Sequence, residues 1–199
     1  MSSNKVFYKY NGTTYTYLDL KQKVYSFISF LHKRKKLKNN KICVISEKSF
    51  NSYSLVVSIL LTNNIWIPLS SKIPKYRLMK MLKQVNPDIV ITDNQNLINS
   101  FNFKKKKNFF LIKDINKFKI NKSKKINISH NPNDLAMIFF TSGSTGEAKG
   151  VPIKQSNFLP SFFSQINKIY KKNKNLVFAD FHDLSFVISL NILLPCIYL

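Results

Sequence analysis

The stretch FTSGSTGEAKGV, from Phe140 to Val151, concentrates the chemistry of this chain. The hydroxyls of Thr141, Ser142, Ser144 and Thr145 are interleaved with Gly143 and Gly146, and Lys149 and Gly150 follow. Of the chain's four glycines, only Gly12 lies elsewhere. Glycine lets a backbone turn tightly and expose its N–H groups. Successive N–H groups in such a turn form a concave donor site for an anion. The hydroxyls add donors, and Lys149 adds a point charge. This set of groups suits a phosphate. It is not the G-x-x-x-x-G-K-[ST] loop, because Glu147 follows Gly146 and Gly150 follows Lys149. Without a ligand, the same residues would make a flexible Ser/Gly turn between two strands.

The elements around this stretch alternate. VFYKYNGTTYTY reads as two short strands about Asn11-Gly12. Apolar residues recur at helical spacing from Leu18 to Leu37 and predict an amphipathic helix. Lys41–Ser46 is a short buried strand, and a helix follows with Ser49 as its candidate cap. Ile65–Ser70 is another strand, Pro74 opens a helix through Val85, and PDIVITD is a strand again. LAMIFF leads into the glycine stretch. QSNFLPSFFSQINKIYKK reads as a helix after it, with Ser156 as its cap, and LVFAD as one more strand. Continuously apolar strands alternating with helices predict an α/β fold: a mostly parallel sheet layered with helices on both faces. Between about 94 and 133 the pattern degrades into a loop-rich segment. It contains a solvated four-lysine run, and only NFFLI offers a strand.

Composition narrows the function. The chain has 199 residues, and its 32 Lys+Arg against 9 Asp+Glu give a net charge of +23. Such a balance usually points to nucleic acid or an anionic surface. Here only Arg34 and Arg77 are arginine, and lysine, asparagine, isoleucine and phenylalanine are inflated together, as AT-rich coding produces. Base and phosphate readers favour arginine forks. The charge therefore reads as compositional drift, with no specific nucleic acid and no membrane as partner. Cys43 and Cys196, each in an apolar run, read as buried thiols in a reducing, cytoplasmic compartment. No signal-peptide core opens the chain. The apolar end LSFVISLNILLPCIYL falls short of the roughly 20 residues that span a bilayer and reads as a core helix. His32 and His130 read as surface residues.

FTSGSTGEAKGV resembles the phosphate-loop signature T-S-G-[ST]-T-G-x-P-K-G-V of the adenylate-forming superfamily. That superfamily includes acyl-CoA synthetases, luciferases and the adenylation domains of nonribosomal peptide synthetases. Ala148 stands where proline is usual. Two further stretches agree, in the family's order. TYTYLDL resembles the early L-T-Y-x-E-L motif. LLTNNIWIPLSSKIPKYRLMKML resembles L-K-A-G-x-x-Y-x-P-L-D-P-x-Y-P-x-x-R, with Asn63-Asn64 in place of Ala-Gly and Ser70 in place of the aspartate. Pro68, Pro74 and Arg77 stand where that motif has them. The resemblance runs from about Thr14 to the end. It implies that Thr141, Ser142, Gly143, Ser144, Thr145, Gly146 and Lys149 hold the triphosphate of ATP, accompanied by Mg²⁺. A carboxylate would attack the α-phosphorus and pyrophosphate would leave. The acyl-adenylate would then pass to coenzyme A or a phosphopantetheine carrier protein.

The resemblance also implies that residues 1–199 are an incomplete adenylation domain. Family members continue into a ribose-binding aspartate, an acid that helps bind magnesium, a hinge and a small lid domain with an essential lysine. The expectation is an ATP-dependent ligase fragment, inactive alone, with a separate chain as one possible source of the remainder. The rival is a catalytically dead basic protein of the same fold that binds RNA or a partner. A substrate clue sits in FADFHDLSFVISL, where amino-acid-activating members carry F-D-x-S and acyl ligases a His-containing motif. In one register His182-Asp183-Leu184-Ser185 fits and Asp183 faces a substrate ammonium, so an amino acid is the first choice. In the other, Phe186-Val187-Ile188-Ser189 fits and Val187 lines the pocket. His182 and Asp183 also fit a plain polar turn.

Overall fold

The computed structural model describes residues 4–33, 38–100, 108–115, 118, 131–142, 147–166, 168 and 176–198. Strands β1 (Val6–Tyr10) and β2 (Thr13–Thr16) pair antiparallel about Asn11-Gly12. Both turn residues take positive φ, 46° and 76°, the two-residue turn whose twist matches a hairpin. Thr16 then caps helix α1 (Tyr17–His32): its hydroxyl accepts from the Asp19 N–H, and the Asp19 carboxylate accepts from the Thr16 N–H at 2.7 Å. Helix α1 closes at Lys33, where the apolar spacing gives way to the basic run, and not at Leu37. Residues 34–37 lie outside the described residues.

The main sheet contains β3 (Lys41–Ile45), β4 (Ile65–Leu69), β5 (Ile89–Thr92), β6 (Phe109–Leu111), β7 (Leu135–Ser142) and β8 (Ala148–Lys154). Their order is β6-β5-β3-β4-β7-β8. Every pair is parallel except β7–β8, which is an antiparallel hairpin. The helices are α2 (Phe50–Leu61), α3 (Lys75–Val85), α4 (Gln95–Ser100), α5 (Ile112–Ile115), α6 (Gln155–Gln165) and α7 (Leu190–Tyr198). Strand alternation sorts the core into two layers. Ile42, Val44, Trp66, Ile89 and Ile91 face α1, α2, α5 and α7, whereas Cys43, Ile45, Ile67 and Val90 face α3. Both faces are thus covered, which is why these strands read as unbroken apolar runs.

Several local readings change. The residues after the glycine stretch form strand β8, and α6 starts at Gln155 behind Lys154. Ser156 lies inside α6 and does not cap it, because β8 carries the chain straight into the helix. Leu176–Asp180 is irregular, with Val177 96% exposed and no strand pairing among the described residues. The loop-rich segment contains α4, β6 and α5; Lys104–Lys107 and His130 lie outside the described residues. His32 is half-buried. Both thiols are free, Cys43 fully buried and Cys196 partly so; burial pushes the Cys196 thiol up to about 11. No helix among the described residues is long and apolar enough to cross a membrane.

An amide cluster ties the strand starts together. Asn63, with φ of 57°, takes the left-handed turn that glycine usually takes after a helix. Asn64 Oδ1 accepts from the backbone N–H (2.9 Å) and side-chain amide (2.8 Å) of Asn40, and its own amide donates to Thr62 Oγ1 at 2.8 Å. Asn63 Oδ1 accepts from the Gln155 amide, and Asn63 Nδ2 donates to Asp134 at 3.3 Å. These groups join the end of α2 to the starts of β3, β7 and α6. Asn64→Ala removes the acceptor of two buried Asn40 hydrogen bonds. It is expected to lower the unfolding free energy by about 1–3 kcal/mol in a urea titration.

Candidate functional site

The C-terminal ends of β4 and β7 open into a cavity of about 450 Å³. Three segments line it, and each was quoted above for its motif. The first is the β4–α3 connection with the start of α3: Pro68 to Ser70, Lys72 to Pro74, Arg77 and Met81. The second is the β7–β8 hairpin end: Phe140, Thr141, Ser142 and Ala148. The third is a turn formed by Asp183, Ser185 and Phe186.

The hairpin register fixes the outer wall. Thr141 pairs with Lys149 and Ser142 with Ala148. Directly opposed residues of an antiparallel pair share a face, so Lys149 stands beside Thr141 at the mouth of the loop. Gly143, Ser144, Thr145 and Gly146 lie outside the described residues. Lys149 is exposed, and its ammonium has no hydrogen-bond or ion-pair partner among the described residues. Glu147, at the far base of the loop, pairs with Lys80 of α3 at 2.9 Å; this contact holds the Glu147 carboxyl below its usual range.

The turn is anchored twice. Upstream, Lys48 Nζ donates to the Asp180 carbonyl at 2.7 Å, and the Tyr53 hydroxyl donates to the Asp180 carboxylate. Burial first, and then the Asp180 charge, push the nearby Tyr8 phenol up to about 12. Downstream, Asp183 Oδ1 accepts from the Ser185 N–H at 2.9 Å, and Oδ2 accepts from the Ser70 hydroxyl at 3.0 Å. Half-burial raises the Asp183 pKa, but the hydrogen bonds from Ser185 and Ser70 and the charge of Lys72 outweigh it, and the carboxyl is held below its ordinary range. His182 is exposed and does not line the cavity. Val187 opens a 3-10 turn (Val187–Ser189) ahead of α7; it is 52% exposed and does not line the cavity either.

The residues at the site that sequence reading left unassigned are Ser70, Lys72 and Ser185. Ser70 carried a signal, as the residue standing where its motif has an aspartate. Its partner Asp183 is 113 positions away, a distance that no local pattern bridges.

The sequence pattern of the AMP-binding enzyme family matches residues 1–199. The chain belongs to that family. Bacitracin synthase 2 of Bacillus licheniformis is 24% identical over 151 residues, 75% of this chain and 6% of that protein. Zwittermicin A synthase ZmaJ of Bacillus cereus is 25% identical over 143 residues, 72% of this chain and 27% of that protein. Among solved structures, the N-terminal subdomain of Klebsiella oxytoca NpsA in complex with 3-hydroxybenzoyl-AMSN superposes with a TM-score of 0.75 at 18% identity. The match covers 94% of this chain and 46% of that one. The nonribosomal peptide synthetase FmoA3 in its AMPPNP-bound form gives 0.73 at 19% identity, covering 94% of this chain and 19% of that one. The fold is therefore that of the NpsA N-terminal subdomain, and this chain spans about half the length of that structure and 6% of bacitracin synthase 2.

The Ser70–Asp183 contact carries a pH dependence. A carboxyl held below its ordinary value stabilises the fold fully above that value, roughly pH 4, and the contribution is lost as pH falls through the lower folded value. Ser70→Ala is expected to move the Asp183 carboxyl upward in a carbon-detected NMR titration and to shrink the loss of stability below about pH 4. An unmoved Asp183 titration would show the contact to be incidental.

Proposed function

We propose that this chain supplies the phosphate-binding part of an enzyme that uses ATP to activate a carboxylic acid as its acyl-adenylate. The observation that carries this reading is the β7–β8 hairpin. It frames the glycine and hydroxyl loop with Thr141 and Ser142 on one side and Lys149 on the other, beside a cavity walled by the remaining motif segments. Attack of a carboxylate on the α-phosphorus needs alignment of the two reactants and neutralisation of the departing pyrophosphate. Backbone N–H groups of Gly143–Gly146, the four hydroxyls and the Lys149 ammonium are the groups this chain would bring to the β- and γ-phosphates. Magnesium would supply charge neutralisation when bound. Among the described residues no three His, Cys, Asp or Glu side chains converge. The ion would be held chiefly by the triphosphate oxygens, as Mg²⁺ commonly is, with few protein ligands.

Among the described residues Asp183 is the one carboxylate that lines the cavity. Ser70 and Ser185 each occupy one acceptor site on it and keep it charged and oriented. The remaining lone pairs suit an α-ammonium, so an amino acid is the substrate class we propose. The nonribosomal peptide synthetase ivoA of Emericella nidulans is among the relatives. A carrier-protein or coenzyme A thiol would be the acceptor.

Pyrophosphate and ATP are expected to bind the 199-residue chain weakly in calorimetry, and Lys149→Ala to weaken that binding by about 1–3 kcal/mol. Equal binding by the variant would remove Lys149 from the site, and no phosphate binding at all would refute the reading. Because the chain spans 46% of the NpsA subdomain, we also propose that it does not complete adenylation alone. Carboxylate-dependent exchange of labelled pyrophosphate into ATP is expected to stay at background. In a chain completed by a homologous remainder, exchange is expected with amino acids and not with their deaminated analogues, and Asp183→Ala is expected to erase that preference.

A further inference from the structure

We propose that Arg77 is a further phosphate-binding residue of this cavity, with its guanidinium fork taking two oxygens of the nucleotide's pyrophosphate portion. The inference rests on the nucleotide-binding reading above and assigns a residue which that reading leaves out. Three charged side chains line the cavity: Lys72, Arg77 and Asp183. Lys72 lies 3.7 Å from Glu47, and Asp183 is held by Ser70 and Ser185. The half-buried Arg77 guanidinium has neither a hydrogen bond nor an ion pair among the described residues. Its five donors form a planar fork that matches phosphate oxygens. Arg77 stands in the first turn of α3, where the helix dipole disfavours a cation and no acidic residue of that turn offsets it. A half-buried cation at this cost, opening on a cavity beside the hydroxyls of Thr141 and Ser142, is complementary to an anion that the chain itself does not provide.

Composition points the same way. Lysine fills every basic position except Arg34 and Arg77. A drift that converts surface arginine to lysine at little cost would spare a position that needs the fork, because lysine offers a point charge with no bidentate geometry.

The test uses inorganic pyrophosphate and the 199-residue chain at fixed ionic strength. Arg77→Ala is expected to weaken binding by roughly 10- to 100-fold, the loss of a charge-assisted pair of hydrogen bonds. Arg77→Lys is expected to recover only part of that affinity. Lys83→Ala removes an exposed charge from the last turn of the same helix, and it is expected to leave affinity unchanged. Loss in Lys83→Ala equal to that in Arg77→Ala would reduce the effect to net charge and overturn the proposal. Unchanged affinity in Arg77→Ala, with Lys149→Ala still impaired, would overturn the role of Arg77 and leave the nucleotide-binding reading standing. No binding by the wild type would remove both. A second measurement does not depend on the alanine variant folding. With only two arginines, the chain gives two side-chain Nε–Hε resonances, and the one missing from Arg77→Lys is expected to shift as pyrophosphate is added to the wild type. A stationary resonance at saturating pyrophosphate would overturn the proposal.

Discussion

The parallel pairing of β4 with β7, registered through Trp66 and Met137, is the contact on which the candidate site depends. It places Pro68–Arg77 beside Phe140–Ser142, although some seventy residues separate them in the chain. Trp66 is fully buried and meets Phe139 edge-on, with ring centroids 5.4 Å apart. Its indole N–H has no hydrogen-bond partner among the described residues. Parallel strands put their carboxyl ends on one side of the sheet, and the crevice there is where open α/β sheets bind ligands. The cavity follows from this topology before any of its side chains is chosen.

Much of this arrangement was legible locally. Asn11-Gly12 forms the hairpin its dipeptide predicts, and Ser49 caps α2 by accepting from the Ser52 N–H at 3.1 Å. The apolar runs became the buried strands, because burial on both faces leaves no alternation to misread. Strand β8 was missed for the opposite reason. It is an edge strand interrupted by Gly150 and Pro152 and mostly exposed, so neither a period of two nor an apolar run marks it. LVFAD has strand composition without a strand partner, and composition alone could not show that. The glycine and hydroxyl stretch was legible as residue types in order; the tie between Ser70 and Asp183 was not, because only the assembled sheet brings them together.

The scarcity of acids sharpens what the remaining ones do. Among the chain's nine Asp and Glu residues, Asp19 closes the cap of α1, Asp88 accepts from the Lys41 N–H at 2.8 Å, and Asp93 accepts from the Glu47 N–H at 3.0 Å. Asp134 receives Asn63, Asp180 holds Lys48 and Tyr53, Asp183 holds the cavity turn, and Glu147 meets Lys80. Among the described residues most lysines are exposed, whereas most carboxylates sit where a backbone donor or a neighbouring element depends on them. The net charge describes the solvent-facing surface; the acids trace the tertiary structure.

Among the described residues strand β8 is the outermost strand of the sheet on its side, which leaves one row of its backbone groups unpaired within the sheet. An open row of this kind is a template for another molecule's strand. Pro152 presents no N–H to such a visitor, and the exposed Lys149 and Lys154 would meet the lysines of any second copy. The hairpin that frames the glycine and hydroxyl stretch therefore also carries the kinds of residue that blunt a sheet edge.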